Sequence, residues 1–140
     1  MRTQRELAWA AGLYEGEGSV SMVRRRKPEQ AKRHGMASCR VRLDMTDEDT
    51  VRRFHAAVGI GRVYGPYSPP SAGPNRKPVW CWGVDGFEKA QAIAALLWFG
   101  LGSRRKSQFR AALDSARTLY TTRDPRTGRY VSHATLGELG

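Results

Sequence analysis

The chain has 140 residues and is 40% hydrophobic, enough for one domain with a buried core and too short for two of ordinary size. Its 24 Lys and Arg against 13 Asp and Glu leave a net charge of +11, an excess that points to a polyanion, nucleic acid ahead of a membrane surface. The longest apolar stretch, 90–101, is broken by Gln91 and Gly100 and is too short to span a bilayer. With no signal peptide ahead of Met1-Arg2-Thr3, the chain is expected to be cytoplasmic, with Cys39 and Cys81 reduced and lacking the paired spacing of a metal or redox site.

Thr3 and Glu6 form a capping box that opens the first helix. Along it, Ala8, Gly12 and Gly16 recur every four residues and leave one face nearly bare, while Leu7, Ala10, Ala11 and Tyr14 form an apolar face beside it. A glycine inside a helix costs about 1 kcal/mol relative to alanine, so two in one stripe point to a partner that packs closely there. The helix runs out on Glu15 and Glu17, at an end whose dipole disfavours acids. A divalent cation would relieve both.

Val20 and Met22 alternate with Ser19, Ser21 and Val23 in a first strand, and a basic turn carries Lys32, Arg33 and His34. In the second strand Cys39, Val41, Leu43 and Met45 alternate with Ser38, Arg40, Arg42 and Asp44, so one face is apolar and the other charged. Thr46-Asp47-Glu48-Asp49 opens a helix with a capping box and an acidic first turn; Val51, Phe54 and Val58 supply its buried face before Gly59-Ile60-Gly61 stops it. A third strand starts at Arg62-Val63-Tyr64 and a fourth spans 79–84, joined by a loop holding five of the seven prolines. The face of the fourth strand stays open, because Trp80 and Trp82 and the opposite pair Val79 and Cys81 are all apolar. Asp85 and Glu88 are expected to cap the next helix, and Ser103 a last one buried through Phe109, Ala112, Leu113 and Ala116. Residues 1–120 thus read as one domain and 121–140 as a polar tail.

The run Ala10-Ala11-Gly12-Leu13-Tyr14-Glu15-Gly16-Glu17-Gly18 resembles the LAGLIDADG motif of homing endonucleases. The element order over 3–119 is similar to that family's half-fold, αββαββα with an added helix: an α+β fold with a four-stranded antiparallel sheet and helices on one face. The resemblance implies a homodimer, because the chain carries a single motif, with the motif helices meeting through Ala8, Ala11, Gly12, Glu15 and Gly16. It implies that Glu17 of each chain binds a catalytic Mg²⁺, for which Mn²⁺ is a plausible substitute, with the Gly16 carbonyl beside the ion. It also implies cleavage of a double-stranded DNA site, as in intron or intein mobility.

The exposed sheet face is expected to meet the DNA major groove through Ser21, Val23, Arg25, Arg40, Arg42, Asp44, Arg62 and Tyr64. Any one of these arginines is as well explained by solvation; the set favours DNA. Arg104, Arg105 and Lys106 occupy a helical first turn, where cations are disfavoured and a phosphate is invited. By the resemblance a basic residue there lies near the scissile phosphate, and Arg105, ahead of Gln108, fits best, with Arg104 or Lys106 a shift of one away. Asp47 stands where relatives carry a neutral polar residue, and either orients water or caps its helix. His34, His55 and His133 have no metal-site spacing. The reading is a site-specific, Mg²⁺-dependent DNA endonuclease; the alternative is a non-cutting nucleic-acid binder of the same fold, with RNA as partner if it is a splicing cofactor.

Overall fold

The computed structural model describes residues 2–24, 37–68, 73–119, 122–123, 125–127 and 130–131. Helix α1, Gln4–Glu17, starts at the expected capping box: Thr3 Oγ1 accepts from the Glu6 N–H at 3.1 Å, and Glu6 Oε2 accepts from the Thr3 N–H at 2.9 Å. It runs directly into β1, Gly18–Arg24. Gly18 is required at the junction, since a Cβ there would fall inside the Tyr14 ring. There follow β2 (Ala37–Met45), α2 (Glu48–Val58), β3 (Arg62–Tyr67), β4 (Val79–Asp85), α3 (Phe87–Leu97), a 3₁₀ turn at Trp98–Gly100, and α4 (Ser103–Leu119).

The four strands form one antiparallel sheet in the order β1-β2-β4-β3. The order of elements is the expected αββαββα with a further helix. Tertiary context settles the face of β4. Trp82 is fully buried, stands edge-on to Phe54 at 4.7 Å and donates its indole N–H to the Ile60 carbonyl at 2.9 Å. Trp80, Trp82 and Val84 therefore pack toward the helices, and Val79, Cys81, Gly83 and Asp85 belong to the open face. The bulk decides it: the space under the helices takes two indoles, whereas Cys81 fits opposite Tyr64 on the other side.

The helices pack on one face around Tyr14, Leu43, Phe54, Ile93, Leu97 and Phe109, each fully buried. Burial of side chains of this size contributes about 1.5–3 kcal/mol apiece. Gly59 ends α2 in the left-handed conformation, φ 73°, as its place after the apolar run predicts. Beyond α4, Thr122 pairs with Val131 and Arg123 with Tyr130 in a two-stranded ribbon. No described helix is long and apolar enough to cross a membrane.

Candidate nucleic-acid interface and acidic centre

Alternation along the strands brings the basic residues together on the open face. Arg42 of β2 and Arg62 of β3 both lie opposite Gly83 of β4, and their guanidiniums stand 5.8 and 5.9 Å from the centre of the Tyr64 ring. The bare Gly83 between them leaves a concavity of about 330 Å³, bounded also by Arg40 and Asp85. Arg40 is held in a 2.8 Å ion pair by Asp85. Asp85 is thus engaged across the sheet and does not cap α3, whose N-cap is Gly86 with no side-chain bond. Ser21 is exposed on β1 opposite Arg40, and the Val23 backbone pairs with Ser38. Burial pushes the Tyr64 phenol up to about 12, so it stays a neutral donor. Arg25, His34 and His133 lie outside the described residues.

At one end of this face α1 stops at Glu17, which is exposed. Glu17 shares an open groove of about 540 Å³ with Asp44, Thr46 and Tyr67, and with Arg76 and Lys77 of the β3–β4 loop. Tyr67 donates its hydroxyl to Asp44 at 3.2 Å. Arg76 and Lys77 were not legible as site residues. They sit in a proline-rich loop with no periodicity to place them, and the register of β4 alone brings them to Glu17.

The motif helix divides as its pattern predicts, with two corrections. Ala8, Gly12 and Gly16 are exposed, and nothing of the described chain comes within 4 Å of a Cβ placed on Gly12 or Gly16. Ala11, counted among the helix–helix contacts by the resemblance, is fully buried within the chain, as its place on the apolar face with Ala10 and Tyr14 predicts, and Gly100 packs so closely on it that a Cβ at 100 would lie 2.5 Å from the Ala11 methyl. Glu15 is also engaged within the chain. Its carboxylate accepts the Gly102 N–H at 3.0 Å, at the start of α4, where helix-end donors favour an anion.

Arg105 is the larger correction. It is buried, donates from Nε to the Glu15 carbonyl at 3.0 Å and from Nη1 to Gln108 at 3.0 Å, and lies 5.8 Å from the Tyr14 ring. A helix C-terminus carries carbonyls with no intrahelical partner, and α1 presents one of them to this guanidinium. The cation therefore ties α1 to α4, its Nε and Nη1 engaged within the chain. Arg104 is exposed in the first turn, and Lys106 lies 5.4 Å from the Trp98 ring. Asp47 is a cap: its carboxylate accepts from the Asp49 N–H at 3.1 Å and from the Thr50 hydroxyl at 2.8 Å, bonds that hold its pKa below the usual carboxylate range. Asp44, three residues earlier and still on β2, is the acid that reaches the groove of Glu17.

Among the described residues no three His, Cys, Asp or Glu side chains form a ready metal site. A hard divalent ion takes oxygen ligands. Glu17 offers an exposed carboxylate for one and the Gly16 carbonyl adjoins it in sequence, so the donor chemistry present is of the kind a hard divalent ion takes.

The fold that carries these features, a helix ending in a carboxylate at the rim of a four-stranded antiparallel sheet, is similar to that of solved homing endonucleases, a LAGLIDADG meganuclease among them. Among solved structures, the homing endonuclease I-CvuI in complex with its target, in the presence of Ca, is 18% identical; it aligns over 82% of this chain and 68% of that one with a TM-score of 0.60. The archaeal intron-encoded homing endonuclease I-Vdi141I complexed with DNA is 18% identical, over 81% and 68%, with a TM-score of 0.60. The group I intron-encoded I-CeuI complexed with DNA is 12% identical, over 82% and 55%, with a TM-score of 0.57. No protein-family model and no curated protein matches the chain.

Proposed function

We propose that the protein is a site-specific endonuclease for double-stranded DNA that acts as a homodimer with Mg²⁺. The observation that carries this is the state of α1: its stripe Ala8, Gly12 and Gly16 is exposed, a Cβ on Gly12 or Gly16 would meet nothing among the described residues, and its last residue, Glu17, is an exposed acid beside a basic sheet. A second copy of the stripe across a two-fold axis would fill that space and bring two Glu17 carboxylates side by side. Arg42, Arg62 and Tyr64 would follow the major groove, where arginine forks match the acceptors of guanine. When bound, the divalent ion supplies Lewis acidity at the phosphoryl oxygens and at the attacking water.

The chain's own contribution is placement. The bonds from Gly102 and Arg105 to Glu15 hold the last turn of α1, and so fix where Glu17 projects. The experiment is incubation of the protein and Mg²⁺ with a randomised duplex library, sequencing the broken ends. Breaks at one sequence support the reading. Tight duplex binding without breaks would make the protein a non-cutting binder of the same fold.

A further inference from the structure

With Arg105 turned into the α1–α4 junction, the cations that share a groove with Glu17 are Arg76 and Lys77. Both are exposed, on a segment with a defined conformation. The Arg76 N–H donates to the Gly73 carbonyl at 3.2 Å, closing a turn with Pro74 second in it, and Pro78 then leads into β4. Proline at the second position pre-sets the turn, so presenting these cations requires little further ordering. The groove also holds Asp44, whose carboxylate is bonded by Tyr67, and it opens at the end of the sheet. Two acids without these cations would repel a DNA backbone.

We propose that Arg76 and Lys77 bind the phosphodiester group of duplex DNA that enters the groove beside Glu17. The β3–β4 loop is then a second, sequence-independent contact that delivers the backbone to the acid, distinct from base reading by Arg42 and Arg62. The inference rests on the DNA-endonuclease reading above.

The test is the salt dependence of duplex binding by the full chain in Ca²⁺, read by fluorescence anisotropy on a mixed-sequence duplex. Each phosphate neutralised adds about −0.9 to the slope of log affinity against log salt. The double variant Arg76→Gln/Lys77→Gln should flatten the slope by roughly two units, one per cation. The same loss of charge on the helical layer, Lys89→Gln/Arg110→Gln, should leave it unchanged. An unaltered slope in the first variant, or equal flattening in the second, would overturn the groove contact while leaving DNA binding by the sheet in place. Failure of the wild-type chain to bind any duplex would overturn both.

Discussion

Arg105 donates from Nε to the Glu15 carbonyl across 3.0 Å, joining residues 90 apart in sequence and fastening the C-terminal end of the motif helix to the start of α4. The bond makes a buried cation the partner of a helix-end carbonyl. Hydrogen bonds of charged groups contribute about 1.5–3 kcal/mol. Arg105→Ala is therefore expected to lower stability in urea unfolding by about that amount, and Arg105→Lys to recover only part, since an ammonium lacks the planar fork that reaches Glu15 and Gln108 together. Unchanged stability of Arg105→Ala would contradict the tie.

Tyr14 offers a test of opposite sign. Its ring packs 5.4 Å from Phe109 and its hydroxyl is buried with no hydrogen-bond partner among the described residues, so burial raises its pKa. An unsatisfied buried polar group costs about 1–3 kcal/mol. Tyr14→Phe should raise the unfolding free energy by roughly 1 kcal/mol with the ring still packed. A loss of stability would mean that the hydroxyl has a partner.

The bare stripe predicts association. Gly12→Leu has room among the described residues and replaces a poor helix former, so helical circular dichroism should be retained. Overpacking a close helix contact costs about 1–3 kcal/mol, and sedimentation equilibrium should show the dimer shifted to monomer. A Gly12→Leu chain that sediments as the wild type does would rule out contact through this stripe.

The pH dependence follows from the caps. The Thr50 hydroxyl holds the Asp47 pKa below its ordinary value, and the Thr3 N–H does the same for Glu6. A carboxyl depressed in the folded state stabilises fully above its unfolded pKa, and that stability is lost as pH falls through the folded value. The thermal midpoint should hold steady above the carboxylate range and fall through it. Asp47→Asn, which cannot titrate, should fall less steeply; an identical decline would remove Asp47 as a contributor.

What the sequence made legible were features with a period or a local partner. The Thr3–Glu6 box, the alternation of β2 and the small-residue stripe each declare themselves within a few positions. Trp80 and Trp82 did not reveal their face, because the opposite pair is also apolar and the choice rests on what the helices above can accommodate. Arg105 misled for an electrostatic reason: three cations in a helical first turn read as an anion site, whereas its acceptor is a carbonyl on a distant helix. For Ala11 the 3.6-residue period put it on the apolar face, where it packs against Gly100, and only the resemblance set it at a contact between helices. Asp85 read as a helix cap until the register set it opposite Arg40.

The most direct measurement is single-turnover cleavage, in Mg²⁺, of the sequence recovered from the randomised library, by the wild-type chain and by Glu17→Gln. The amide keeps the shape of the carboxylate but loses the charge that holds a hard cation. The expected result is a double-strand break by the wild type, with Glu17→Gln binding the same duplex and leaving it intact. Equal cutting by both proteins would contradict the assignment of Glu17 as the acid at the centre of the reaction.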